Sequence, residues 1–363
     1  MAIAKELLLF LESIFDGVKR TIQTRRGLAR PVQVLAFHGY GTLDRLEVHG
    51  RIVKNKGIRK AGTNDSFWAN IVNIYKRMES DELPGIKVTA RYRGSEYTTI
   101  SDEEGYFSIA LPSVASHDKL QPWHEIALSV SEPTMEMVQA SGRVLVPPAE
   151  SSFGVISDID DTIIQTGITN LFDTLGNTLL KNAKTRIPFA GVREFYTALQ
   201  KGSTDTTFNP IFYISNGPWN LFDFLDEFMK VNEIPPGPIL LRDFGLDRDK
   251  IIADGHHKIK KISDILNKYP EIPFVLLGDS GEKDPEIYQQ ICQLFPNRIK
   301  AVYIRDVTSE PRDSRVRKIA ADMAAQGVDM LIIEHTCEAA EHAAGIGLID
   351  NDSLTMVQTA NYR

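Results

Sequence analysis

Two periodicities divide the chain. From about residue 33 to 150 apolar and polar positions alternate: Ile86, Val88, Ala90 and Tyr92 are interleaved with Lys87, Thr89, Arg91 and Arg93, and Ile126, Leu128 and Val130 repeat the pattern. Successive side chains of an extended chain point to opposite faces, so this alternation predicts half-buried strands. The stretch Ser101-Asp102-Glu103-Glu104-Gly105 is rich in turn formers and predicts a hairpin joining 96–100 to 106–111. One helical face, Phe67, Ile71, Ile74 and Met78, interrupts the set. The sum is a small antiparallel β-sandwich, closed by Val146-Pro147-Pro148 because proline cannot continue a central strand.

After residue 151 the pattern changes. Apolar runs at 153–157, 210–215, 238–242, 272–278, 299–304 and 328–333 alternate with helical spacings at 190–201, 219–230, 256–268, 284–294 and 312–326, the last closed by Gly327. Strands that alternate with helices predict an α/β fold, a parallel sheet covered on both faces. At the other end, Ile3, Leu7, Phe10, Leu11, Ile14, Phe15 and Val18 make an amphipathic helix, followed by Lys19, Arg20, Arg25, Arg26 and Arg30. The predicted organisation is therefore an amphipathic helix and basic segment at 1–30, a β-sandwich at 31–150 and an α/β domain at 151–363.

Composition adds limits. A net charge of −7 disfavours general nucleic-acid binding, which needs a basic footprint. No apolar run approaches a membrane span, and two cysteines, Cys292 and Cys337, make no disulfide framework, which points to the reducing cytoplasm. Residues 1–30 hold six basic and three acidic residues, a local +3. That segment suits either docking on the protein itself or a dimer partner, or peripheral contact with an anionic membrane. His38, His49 and His124 have no ligand spacing and read as structural, and His256 and His257 as a helix entrance. The cluster Glu334 to His342 reads as a helix start with Thr336 as N-cap.

The chemistry centres on Val155-Ile156-Ser157-Asp158-Ile159-Asp160-Asp161-Thr162. Three carboxylates at the exit of a buried strand need neutralising, and a divalent cation is the simplest partner. The same residues also suit a plain turn with an N-cap. Further stretches follow in order: Ile211-Phe212-Tyr213-Ile214-Ser215-Asn216, then Lys258, then Gly278-Asp279-Ser280-Gly281-Glu282-Lys283-Asp284.

Taken in this order, these four motifs resemble those of the haloacid dehalogenase superfamily. Ser-Asn-Gly-Pro-Trp at 215–219 and Gly-Asp-Ser-Gly-Glu-Lys-Asp-Pro-Glu-Ile-Tyr at 278–288 are similar, more narrowly, to the catalytic domain of the actin-patch phosphatidate phosphatase family of yeast and bacteria. The resemblance covers about 150–350. It implies a haloacid-dehalogenase-like sheet and a Mg²⁺-dependent phosphomonoester hydrolase. Asp158 would be nucleophile and metal ligand, and Asp160 acid, base and ligand. Asp279 and Asp284 would complete the metal site, and Thr162, Ser215, Asn216 and Lys258 would hold the phosphate. Many members carry Gly at the position of Asp161. Only about 44 residues, 166–209, separate the first motif from the second strand, too few for a large cap. An open site suits a bulky phosphorylated substrate, phosphatidate above all. Another phospholipid, a phosphoprotein, or an inactive membrane or cytoskeletal adaptor are the alternatives.

Overall fold

The computed structural model of this 363-residue chain describes residues 32–54, 83–113, 122–131, 137–164, 188–204, 207–242, 256–307 and 310–361. The expected N-terminal helix, the helix at 67–78 and most of the stretch from 166 to 209 that bears on a cap lie outside them.

The first eight strands are β1 (Val32–Phe37), β2 (Gly39–Tyr40), β3 (Arg45–Lys54), β4 (Lys87–Tyr92), β5 (Ser95–Ile100), β6 (Tyr106–Pro112), β7 (Trp123–Val130) and β8 (Val138–Leu145). They form an antiparallel sheet in the order β1-β3-β6 and a mixed sheet in the order β2-β8-β7-β4-β5, where β2 runs parallel to β8. Leu46, Val48, Ile52, Val88, Ala90, Ile109, Ile126 and Leu128 fill one core between them. This is the alternating set of the sequence, each apolar residue turned inward.

The hairpin expected at 96–111 is not formed. β5 pairs with β4 and β6 with β3, so residues 101–105 carry the chain from one sheet to the other. The turn chemistry was real: the Asp102 carboxylate accepts the N–H groups of Glu104 (2.9 Å) and Tyr106 (2.8 Å). Alternation shows that a strand has a buried face, and tertiary packing decides which neighbour it pairs with. The tight hairpin lies one step earlier, between β4 and β5. Its Arg93 and Gly94 both have positive φ (48° and 84°), as the favoured two-residue turn requires.

The second half continues as β9 (Gly154–Asp158), α1 (Val192–Lys201), β10 (Ile211–Pro218), a 3₁₀ turn (Trp219–Leu221), α2 (Phe222–Val231), β11 (Ile239–Arg242), α3 (His256–Lys268), β12 (Phe274–Asp279), α4 (Asp284–Leu294), β13 (Ile299–Arg305), α5 (Glu310–Ala324), β14 (Asp329–Ile333), α6 (Thr336–Gly345) and α7 (Asn351–Asn361). Its six strands are parallel, in the order β11-β10-β9-β12-β13-β14. Val155, Tyr213 and Leu277 face α1, α2, α6 and α7, while Ile156, Phe212 and Leu276 face α3, α4 and α5. Both faces are covered, which is why these strands read as unbroken apolar runs. Helix α6 is capped by His335 rather than Thr336: the His335 side chain takes the N–H of Glu338, whose carboxylate returns to His335.

The two halves share packing. Phe37, at the end of β1, stacks on Trp219 (4.5 Å between ring centroids) and tilts against Phe222 (4.9 Å). Tyr269 donates its hydroxyl to the carbonyl of Gly41 (2.8 Å), and Lys268 pairs with Glu47 (2.8 Å).

Candidate active site

The order of the sheet decides where a site can form. From β9 the chain moves outward through β10 to β11, then returns to place β12 on the other side of β9. Connections that leave in opposite directions open a crevice at the carboxyl ends of β9 and its neighbours. Asp158 ends β9, Asp279 ends β12, and Ser215 lies near the end of β10.

Asp158 is 1% exposed. Its Oδ1 lies 2.7 Å from the Nζ of Lys258, which the first turn of α3 delivers from the adjacent face. The same ammonium reaches Asp284 Oδ1 at 2.6 Å and Glu282 Oε2 at 2.7 Å. Asp279 is fixed by its own loop, because its Oδ1 accepts the N–H groups of Gly281 (2.6 Å) and Glu282 (2.9 Å). Asp284 opens α4 and folds back over Gly278, where any side chain would collide: an added Cβ would lie 2.5 Å from Asp284 Oδ2. A glycine is what lets the carboxylate come so near the strand.

Asp158 Oδ2 and Asp279 Oδ2 are buried and have no hydrogen-bond partner among the described residues. One oxygen each of Asp158, Asp279 and Asp284 lies within 4.8 Å of the others. Hard oxygen donors so placed, two of them unneutralised, fit a divalent cation. Asp160 stands outside this trio. Its Oδ2 accepts the Ser215 hydroxyl (3.0 Å), which itself accepts the N–H of Gly217 (3.0 Å). Asn216 donates to Glu282 Oε2 (2.9 Å). Thr162 joins the cluster through no hydrogen bond among the described residues: its hydroxyl is buried without a partner, and the residue lines a cavity of about 10 Å³ with Tyr196, Tyr303, Arg305 and Thr336.

Residues 153–306, which hold every one of these side chains except Thr336, match the family model described as "Phosphatidate phosphatase APP1, catalytic domain". The chain carries an APP1-type catalytic domain. The phosphatidate phosphatase APP1 of Saccharomyces cerevisiae is 36% identical over 163 residues, 44% of this chain and 27% of that protein. An uncharacterized protein of Schizosaccharomyces pombe is 27% identical over 275 residues, 72% of this chain and 44% of that protein. The chain thus spans less than half the length of either relative. A carbohydrate acetylesterase from Xanthomonas citri covers 91% of this chain and 74% of its own at 10% identity, with a TM-score of 0.32, too weak a likeness to bear on the site.

Electrostatics in the APP1-type domain follow from burial. Desolvation pushes the Asp158 carboxyl well above the usual carboxylate range; Lys258 opposes this, and Asp284, Glu282 and Asp279 add to it. Burial and then Asp284 push Asp279 up to about 7. For Lys258 burial alone would lower the pKa, but Asp158, Asp284 and Glu282 together outweigh it and hold the ammonium charged. A cation added to this site would relieve the carboxylates of the same repulsion.

Two residues carry more than their sequence setting showed. Glu282 ties the Lys258 ammonium to Asn216; it sat inside the fourth motif, where only its aspartates drew attention. Arg305 ends β13 beside Asp279, 5% exposed, and donates to the Thr162 carbonyl (3.3 Å) and the Thr336 hydroxyl (3.0 Å) over the ring of Phe189. Burial lowers its pKa to about 10. A single Arg at a strand end gives no signal of such a role. Asp161 has a left-handed φ of 54°, a conformation that glycine adopts freely.

Proposed function

We propose that this protein is a Mg²⁺-dependent phosphatase that hydrolyses phosphatidate to diacylglycerol and inorganic phosphate. One observation carries the reading: Asp158, Lys258, Asp279 and Asp284 converge, buried, at the carboxyl edge of the sheet within an APP1-type catalytic domain. Asp158, Asp279 and Asp284 would hold the cation, whose charge neutralises the phosphoryl group as it transfers.

The side chains do the rest. The Asp158 carboxylate attacks phosphorus, the bond from phosphorus to the ester oxygen breaks, and Asp160 gives its proton to the leaving alkoxide. Water then yields a proton to Asp160 as its oxygen attacks the aspartyl-phosphate, which releases inorganic phosphate and restores Asp158. Ser215 and Asn216 hold phosphoryl oxygens, and the Lys258 ammonium offsets the charge that builds on them. Before substrate binds, the single Ser215 O–H donates to Asp160, and it turns from that carboxylate to reach a phosphoryl oxygen. Residues 1–30 supply peripheral contact with the membrane in which the substrate lies, the β-sandwich at 31–150 braces the catalytic unit at 151–363, and the protein works in the cytoplasm. No helix among the described residues is long and apolar enough to cross a membrane.

The test is phosphate release from phosphatidate in mixed micelles, with and without Mg²⁺, for wild type and Asp158→Asn. Release that requires both Mg²⁺ and Asp158 is expected, with the variant folded and inert. Hydrolysis of an aryl phosphate but not of phosphatidate would keep the catalytic residues and remove the lipid. Deleting residues 1–30 should abolish co-sedimentation with anionic liposomes; unchanged co-sedimentation would remove the membrane contact.

A further inference from the structure

Lys258 has three N–H donors and three carboxylate acceptors: Asp158 at 2.7 Å, Asp284 at 2.6 Å and Glu282 at 2.7 Å. Its donors are fully taken. A phosphoryl oxygen can reach this ammonium only if one acceptor leaves. Asp158 and Asp284 are 1% and 0% exposed, while the Glu282 side chain is 28% exposed and alone borders solvent. The oxygen of Glu282 that meets Lys258 also accepts from Asn216 (2.9 Å). One carboxylate oxygen thus sits between two donors assigned above to the phosphate.

We infer that Glu282 is a built-in occupant of the phosphate seat, an anionic side chain that an incoming phosphomonoester displaces. The idea rests on the proposed phosphatase reading and deepens it. The backbone supports a side chain that swings on a fixed base, since the N–H groups of Gly281 and Glu282 are both held by Asp279 Oδ1. Only the side-chain torsions need change, and the released carboxylate regains water at the rim. While seated, Glu282 keeps Lys258 fully paired in a buried site, where an unpaired donor is costly. Its charge has a second effect. A ligand must displace a carboxylate from these donors, which weakens the binding of any phosphoryl oxygen there by the same factor. Glu282 accordingly sets the affinity of the seat: while it holds Lys258 and Asn216, it weakens phosphate binding.

The experiment measures equilibrium binding of inorganic phosphate, in the presence of Mg²⁺, to the full chain as wild type, Glu282→Gln and Glu282→Ala. Thermal melting of each confirms the fold, and wild type is also assayed for Mg²⁺-dependent aryl phosphate hydrolysis that requires Asp158. Both variants should bind phosphate about three- to tenfold more tightly, the scale of one charge-assisted contact no longer in competition. A monoanionic dialkyl phosphate that reaches the same donors should gain by a similar factor. Unchanged or weaker phosphate binding in both folded variants would overturn the inference and make Glu282 a support for Lys258, while wild-type hydrolysis would leave the phosphatase reading standing. A wild type that neither binds phosphate nor hydrolyses any phosphomonoester would overturn both.

Discussion

Asp279 gives the clearest link from one side chain to a property of the solution. Its carboxyl is held at about 7, against about 4 in an unfolded chain, by burial first and Asp284 second. A pKa raised by folding means that the native state binds the proton more tightly. The associated stability is fully present below about pH 4 and is lost as pH rises through 7. In chelator the protein should therefore lose about 1 kcal/mol of stability between pH 6 and 8 from this group. Saturating Mg²⁺ should abolish or invert that slope, because the cation competes with the proton for the same oxygens. Thermal melts at the two pH values with EDTA and with Mg²⁺ check both signs. Lys258 supplies the complementary case. Lys258→Met leaves Asp158 and Asp284 buried without their cation, and breaking such a pair costs about 3 to 5 kcal/mol in the metal-free protein. Urea unfolding in EDTA measures it. The sequence exposed the carboxylates and the lysine because charge inside apolar runs is costly and therefore conspicuous. Glu282 was not conspicuous: an acid in a polar loop is ordinary, and its meaning depends on Lys258 and Asn216, which come from two other segments.

At the level of elements, strand boundaries were legible within about two residues where both faces of the sheet are covered, since an apolar run stops where burial stops, except that β10 runs on to Pro218, three residues past the expected 215. β12 shows this, expected at 272–278 and found as Phe274–Asp279. The partner of a strand was not legible, as β5 and β6 demonstrate. Nor was α7, Asn351–Asn361, whose polar face leaves only Ser353 and Val357 buried and so gives a weak period. The loop after β9 is a place where local geometry limits sequence. Asp161 sits at a φ of 54°, and its N–H bonds the carbonyl of Ile164 (3.0 Å). Glycine adopts this conformation freely, while a β-branched residue there is strained. Asp161→Gly should be tolerated, and Asp161→Val should cost about 1 to 2 kcal/mol. Chemical denaturation of both variants tests the conformational account.

Across the whole molecule, the β-domain is part of the catalytic scaffold. Phe37 lies in the same core as α2 and stacks on Trp219, directly after the Ser215-Asn216-Gly217-Pro218 end of β10, where the register is irregular. The boundary at 146–148 therefore marks a change of sheet; the packing runs straight across it. Phe37→Ala should destabilise the protein by about 3 to 5 kcal/mol, as large aromatic truncations in a core do. It should also lower phosphatase kcat through a loosened end of β10 at Ser215, although no residue that bears chemistry has changed. Calorimetry should show the β-domain and the α/β domain melting in one transition in wild type, with that transition shifted down in Phe37→Ala.

The insertion of β12 between β9 and β13 has a temporal meaning as well as a spatial one. Asp158 is synthesised long before Asp279 and Asp284, and β12, which brings them together, adds to the open edge of β9 before β13 and β14 have been made. Until the ribosome has released residues beyond 284, the carboxylates of the first motif have no cation site and no facing aspartates. The nascent chain is thus silent by construction, and acquisition of a divalent ion would report that β12 has joined β9.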